Sequence, residues 1–414
     1  MSLFKKYFLF IVIISINTPR LIFSDDFENN FLQTYLNLEK AFLEISGDYG
    51  TNFFPFLNMS YGGRDVGFSG AFTAVADDIN TIESNPAGTS SLDYTELFFS
   101  HSKILGDVNY NTLAFTMRFN DLGVGFGSRV LYIPFDRYDN FGDITGSGVI
   151  NYSVYTFNVA YNFFRNYDFF GLSIGANIKL FVYGVPDTII SNQTSVGVVF
   201  DFGILSRFNL LKGYSHREFN FSIGFAARNL GPFVQNEPPP TSLSIGIAYK
   251  PIYTLLMSVD FEMLINYTDL TYKNWCVRSG VEWYFTPFTA LLCGFAIKSN
   301  PSFSLGMNIR FDDFNITVIY NPDFSDLFKF SVSASIKMGD FGRKDKFVTI
   351  SNQYLSSVRL MNQGKYSEAI PLLENILFND RTFTPALRSL ELCKRHLRIQ
   401  QEIEGISNLN TSLN

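Results

Sequence analysis

The residues whose types could carry chemistry are few, and they crowd into one stretch. Between Ser60 and Leu92 the chain reads SYGGRDVGFSGAFTAVADDINTIESNPAGTSSL, which sets Arg64, Asp65, Asp77, Asp78 and Glu83 among small side chains and closes on Asn85, Pro86, Ala87 and Gly88. Neighbouring acids can hold a metal or move protons, but each such reading needs partners. The chain has only three histidines, His101, His216 and His396, on what read as a strand, a turn and a helix, so neither a metal set nor a catalytic triad is expected. The glycines between Tyr61 and Gly70 lack the lysine of a phosphate loop, and no strand precedes them. Cys276 alternates with the polar residues of its segment and Cys293 with the apolar residues of the next, so they face opposite ways and no disulfide is expected; Cys393 falls in a C-terminal helix. No enzymatic activity, cofactor or metal is expected.

The elements that must position this polar stretch are strands. In FKFSVSASIKM, Phe328, Phe330, Val332, Ala334, Ile336 and Met338 fall on one face, and Lys329, Ser331, Ser333, Ser335 and Lys337 on the other. About fourteen segments between Tyr94 and Met338 repeat this beat, among them ELFFSHSK, TLAFTMRF, TLLMSVDFEM and TALLCGFAI. Each runs about nine to thirteen residues, the length of a tilted strand crossing a bilayer, whereas a soluble sandwich uses strands of about five or six. Composition agrees: aromatic residues make up 17% of the 414, with 46 Phe, while charged residues are also only 17%, below the roughly 25% of soluble domains. The net charge of −6 argues against nucleic acid. The links alternate in length, with tight turns such as Asn120-Asp121-Leu122 and Thr286-Pro287, then longer ones such as 133–150, YGVPDTIISNQT and NLGPFVQNEPPPT. An outer-membrane barrel keeps its short turns periplasmic, so both termini are expected there.

The expected fold is therefore an all-β transmembrane barrel of about 14 antiparallel strands with an N-terminal lumenal hatch and a small α-helical C-terminal domain. Residues 1–24 read as a secretory signal, with Lys5 and Lys6 before YFLFIVIISI; a single anchor helix is the alternative, which Pro19 disfavours. Residues 25–50 carry Phe27, Phe31, Tyr35, Leu38 and Phe42 at helical spacing and read as a periplasmic amphipathic helix. Residues 51–92 form the hatch and 93–340 the barrel. Within 345–404, Gly364, Tyr366, Ala369, Ile370 and Leu373 match one tetratricopeptide-like unit, expected in the periplasm; 405–414 reads as a disordered tail.

A lumen of about fourteen strands is too wide for wall side chains to fill, so it either conducts water or is plugged. A segment rich in glycine and small residues just before the first strand can fold back into it. Wall charges at Arg129, Lys179, Asp201, Asp260, Arg278 and Glu282 would then pair with one another or with Arg64, Asp65, Asp77, Asp78 and Glu83 of the plug.

The stretch GGRDVGFSGAFTAVADDINTIESNPAG followed by these strands resembles the FadL superfamily of outer-membrane transporters for hydrophobic compounds, over about residues 60–340. The spacing is similar to a spirochaete branch of that superfamily and to the PorV/PorQ type of barrel. The resemblance implies a hatch role for Asn85, Pro86, Ala87 and Gly88, with Gly67, Gly70, Asp77 and Asp78 in the same element. It implies as ligand a long-chain fatty acid or other lipophile that leaves sideways into outer-membrane lipid. Gly123, Gly125 and Gly127 on the third strand either soften the wall for such an exit or make room for the plug. The predominantly polar lumen is a departure that puts a hydrophobic path in doubt. Three functions stay open: lipophile uptake, a PorV-like adaptor that binds a periplasmic protein through its tail, and a general porin or structural barrel.

Overall fold

A computed structural model describes residues 54–412 apart from 104–107, 139–140, 142–143, 167–168, 185–193, 215–218, 235–237, 266–273, 299–300 and 323–327. The signal and the 25–50 helix expected from sequence lie outside the described residues. The alternating segments form strands β1 (Glu96–Lys103), β2 (Asn109–Phe119), β3 (Leu122–Tyr138), β4 (Ile144–Phe163), β5 (Leu172–Gly184), β6 (Ser195–Phe208) and β7 (Phe221–Leu230). They continue as β8 (Ser242–Ile252), β9 (Leu255–Leu264), β10 (Asn274–Thr286), β11 (Thr289–Ile297), β12 (Ser302–Arg310), β13 (Phe314–Pro322) and β14 (Phe328–Lys337). Each pairs antiparallel with its sequence neighbours, and β1 closes on β14 from Glu96↔Lys337 to Lys103↔Phe330, giving one closed barrel of 14 strands.

The two-residue period sorts the side chains. On β9, Met257, Val259, Phe261 and Met263 are 42–54% exposed, whereas Leu256, Ser258, Asp260 and Glu262 face inward at 1–5%. On β14, Phe330, Val332 and Ile336 point out while Ser331, Ser333 and Ser335 are buried. Apolar surface costs about 25 cal/mol per Å² in water, and a band of it around a whole barrel is tolerable only against lipid. The barrel spans a membrane. Among the described residues no helix is long and apolar enough to do so.

One connection departs from the sequence reading. Much of 133–150, expected as an external loop, extends β3 and β4 to 17 and 20 residues and pairs on as far as Tyr138↔Ile144, past a register shift after Arg137. Pro134 is tolerated because β2 reaches only to Tyr132, so β3 is an edge strand beyond it and needs no amide there.

Residues 54–92 lie inside the barrel, in short turns that include α1 (Arg64–Gly67) and α2 (Thr81–Ser84). Phe54 packs on Phe181 with ring centroids 4.5 Å apart, near the end of β5 that carries the long loop. Leu92 reaches the opposite end, where its carbonyl accepts from Arg118 Nη1 at 2.9 Å just before β1. The chain thus enters the lumen at the long-loop end and leaves at the short-turn end. Between Phe54 and Leu92 the plug threads the lumen once instead of turning back within it, and the residues before Phe54 lie outside the described residues.

After β14, α3 (Arg343–Asn362), α4 (Tyr366–Asn379) and α5 (Thr384–Ser412) form a helical unit around Ile350, Ala369, Leu373, Ile376, Phe383, Ala386 and Cys393. Gly364 takes φ 76° in the turn between α3 and α4, where a side chain would be strained, and Tyr366 stacks on His396 at 4.8 Å. Helix α5 runs through 405–412, the stretch expected as tail. Arg343 ties this unit to the barrel by donating to the carbonyls of Arg118 and Asp93, each at 2.6 Å.

Candidate functional site

The plugged lumen gathers nearly every charged group singled out in the sequence, and it does so in buried knots. In the first, Arg64 of α1 makes a two-pronged contact with Glu282 of β10, Nε to Oε1 at 3.0 Å and Nη2 to Oε2 at 2.6 Å. The same guanidinium donates through Nη1 to Asp77 at 2.6 Å and Asp78 at 3.0 Å. In the second, Glu83 of α2 accepts from Lys179 at 2.8 Å and pairs with Arg129 at 3.2 Å, and Lys179 also meets Asp201 at 2.8 Å. A third is made by the wall alone, where Arg228 and Arg278 both pair with Glu262. Charges removed from water are expensive unless paired and hydrogen-bonded, so the first two knots fix where the plug must sit.

Asp65 takes no part in these knots and accepts instead from Ser60 Oγ at 2.5 Å. Burial pushes its carboxyl up to about 6 in spite of that bond. Burial opposes ionisation of Asp77 as well, but Arg64 beside it brings that group down to about 2. Asp260 anchors the plug differently, by accepting from the Thr73 amide at 2.8 Å.

Asn85 is wholly buried and ties three things together. Its amide donates to Thr73 O at 2.8 Å within the plug and to Ile204 O of β6 at 3.1 Å, while its Oδ1 accepts from Ala87 N at 3.2 Å and caps the following turn. Pro86 O accepts from Asn158 of β4 at 3.0 Å. Ala87 packs with Ala76 and Leu205, and a Cβ on Gly88 would strike Thr81 and the Ala76 carbonyl. Gly67 faces Leu292 and Gly70 faces Arg278 at φ +83°. The eight residues from 67 to 88 singled out in the sequence therefore all sit in the plug.

The glycines of β3 resolve differently from a wall opening. The ladder runs unbroken past them on both sides, Gly125 pairing with Thr116 of β2 and Asn158 of β4. A Cβ on Gly123 would collide with the Thr89–Ser90 backbone, one on Gly125 would press on Ile82, and one on Gly127 would overlap the Tyr61 ring. They make room for the plug, and there is no gap in the wall at this strand.

A family profile described as "Uncharacterised protein family (UPF0164)" matches residues 45–340, which takes in the plug and the barrel and stops before α3. The chain belongs to the UPF0164 family. A UPF0164 protein of Treponema pallidum (strain Nichols) is 28% identical over 379 residues, covering 86% of each chain. Among solved structures, a Pseudomonas aeruginosa FadL homologue overlaps 68% of this chain and 99% of its own at 11% identity and a TM-score of 0.43. A deletion mutant of the TodX monoaromatic hydrocarbon channel overlaps 69% of this chain and 100% of its own at 12% identity and 0.46. Overlaps of this size say nothing of ligand or mechanism for this UPF0164 chain. Its own closed wall and apolar band place it in an outer membrane, the setting of such single-chain barrels.

Several functional residues of this UPF0164 barrel escaped the sequence reading. Inward glycines on other strands also meet the plug, Gly175 at Pro86, Gly203 at Asn85 and Gly224 at Thr73. The signal was present, since GLSIGANIKL, SVGVVFDFGIL and EFNFSIGFAAR carry Gly175, Gly203 and Gly224 at polar-face positions. Arg207, which donates to Ala76 O at 2.6 Å, and Glu262 were likewise missed. Two distinct regions flank the plug. At the long-loop mouth Phe54, Phe56 and Leu57 pack with Val154, Phe181 and Val199, edged by Tyr152 and Tyr183. At the short-turn mouth lies a cavity of about 820 Å³, lined by charged groups such as Arg118, Arg207, Glu282 and Arg310.

Proposed function

We propose that this barrel takes up long-chain fatty acids or other hydrophobic molecules, with residues 51–92 as a hatch that must shift or open for passage. The observation that carries this reading is the contrast between the two ends of a filled lumen. A general porin needs a water-filled bore, and here the bore is occupied by ion-paired chain. The outer mouth instead closes on a buried aromatic and aliphatic cluster, with Phe54 and Phe56 packed on Phe181 and bordered by the half-buried Tyr152 and Tyr183, and movement of the plug would open this apolar lining to a lipophile. Asn85, Pro86, Ala87 and Gly88 hold the plug to β4 and β6, so they are the contacts that release would break. The orientation that goes with this reading has short turns and the C-terminal helices in the periplasm. Proteoliposomes loaded with a fatty-acid-binding reporter test it: labelled palmitate should enter faster than through plain liposomes, and Asn85→Ala should change the rate. Absence of protein-dependent uptake ends the proposal.

One observation favours a second reading, an adaptor of the PorV kind whose tetratricopeptide-like helices bind a periplasmic protein. Leu355 on α3 and Phe378 on α4 are 57% and 83% exposed, and one such helical unit leaves apolar surface uncovered. Capture of a specific partner by the full-length protein but not by one truncated after Asp340, with uptake unaffected, supports the adaptor.

A further inference from the structure

The cavity at the short-turn mouth has a charge arrangement that the plug does not explain. Its lining holds eight cationic residues and six acidic ones, and the two signs are unevenly paired. Asp77, Asp78 and Glu282 are drawn onto Arg64. Arg118 and Arg207 are each only 6% exposed, and among the described residues neither has a carboxylate within ion-pair distance. Their hydrogen bonds end on neutral oxygens: Arg118 on the carbonyls of Leu92 and Asn120, Arg207 on those of Val75 and Ala76 and on the Ser91 hydroxyl. Arg343 likewise donates to two carbonyls. A carbonyl satisfies an N–H but carries no full counter-charge, so a guanidinium held this way out of water still favours an anion. Arg118 lies within electrostatic reach of Arg165 and Arg343, which adds to the positive field; Asp93 and Asp121 offset part of it there, as Asp77 and Asp93 do at Arg207 and Asp340 and Asp93 at Arg343.

Aromatic residues share the rest of this wall with Ser, Thr and Asn side chains. Phe219 lies under the Arg207 guanidinium at 4.6 Å, and Phe170, Tyr253 and Phe285 also line the space. The volume falls in the range of about 300–1,000 Å³ typical of small-molecule sites.

We infer that the short-turn cavity is a binding site for an organic anion, an apolar body bearing a carboxylate or phosphate, held at the anionic end by Arg118, Arg207 and Arg343. Arginine suits this task because its planar fork meets either oxyanion through two parallel hydrogen bonds. The aromatic wall selects an organic body over a free inorganic ion. The site is independent of whether the barrel transports lipophiles, because it opens at the opposite mouth from the aromatic cap.

The test is equilibrium binding to the full-length protein in an uncharged detergent, by calorimetry, with three water-soluble probes: 4-phenylbutyrate, the uncharged 4-phenylbutan-1-ol and inorganic phosphate. Phenylbutyrate should bind saturably, at least about tenfold more tightly than the alcohol, and more weakly as salt rises, as a partly screened charge interaction must. Arg118→Gln should weaken it about tenfold, and Arg118→Lys should recover part of the loss in keeping with a retained charge. Arg118 also clamps Leu92, so Arg165→Gln serves as the variant that spares the fold; its rim charge should contribute about threefold. Equal binding of acid and alcohol, or phosphate binding as tightly as the organic acid, overturns the proposal. So does an affinity for phenylbutyrate that is unchanged in both glutamine variants while heat-modified gel mobility shows them folded.

Discussion

Replacing Arg64 with methionine asks how firmly the plug is held. The guanidinium is 7% exposed and Glu282 is 2% exposed, so water screens their contact little. Arg64→Met leaves Asp77, Asp78 and Glu282 facing one another with no cation between them. Breaking a buried pair in this way costs about 3–5 kcal/mol. Glu282→Gln is the informative contrast, because Arg64 keeps Asp77 and Asp78 and loses only one charge-assisted contact, worth about 1.5–3 kcal/mol. If plug docking is what seals the lumen, a loss of about 4 kcal/mol raises the undocked population roughly a thousandfold, at about 1.4 kcal/mol per factor of ten. Planar-bilayer recordings should then show frequent openings for Arg64→Met, few for Glu282→Gln and almost none for the parent. Thermal unfolding in detergent should keep the strand signal of Arg64→Met, since the wall ladders do not pass through Arg64. A sealed Arg64→Met barrel, or a Glu282→Gln barrel as leaky as Arg64→Met, would refute the claim that this knot holds the plug.

Three further outcomes follow from the same geometry. Gly203→Leu places a side chain where Asn85 and Pro86 sit and should cost about 1–3 kcal/mol through overpacking and raise leak, whereas Gly213→Ala, with nothing nearby, should be silent in the same recordings. Asp65 has its carboxyl raised from 3.8 to about 6, so the docked plug binds that proton more tightly than the free chain does; its contribution is full below pH 4 and is lost as pH rises through 6. Leak should therefore increase between pH 5 and pH 7, and Asp65→Asn should flatten that dependence, which conductance against pH checks. In a background with the native cysteines replaced, a cysteine at exposed Asn58 should react with an impermeant maleimide on intact cells, while one at exposed Ser356 should react only after the outer membrane is opened. Equal reactivity of the two would place the N-terminal and C-terminal ends on one side and contradict the threaded path.

The wall was legible because its rule is local. Each residue of a strand faces lipid or lumen according to parity alone, so TALLCGFAI matches β11 residue for residue without knowledge of any partner. Strand ends were less legible where a hairpin outgrows its neighbours: β3 and β4 continue past the point at which β2 stops, and parity cannot say where a ladder runs out. The lumen follows a longer-range rule. Arg64 and Glu282 are 218 positions apart, and their contact depends on how far down the bore each residue sits. Composition could say that buried charges need partners, but it could not choose between wall and plug, which is why Arg228, Arg278 and Glu262 pair within the wall while Asp65 turns to Ser60. The direction of threading was hidden for the same reason, since a plug that precedes the first strand can reach that strand by turning back or by passing through. What decides it is the depth at which each turn meets an inward glycine: Tyr61 against Gly127 high on β3 and Thr89 against Gly123 low on the same strand, so the chain descends past one wall as it advances. The glycines are thus the imprint of the plug on the barrel, one side chain omitted wherever the inserted backbone comes too close for a Cβ.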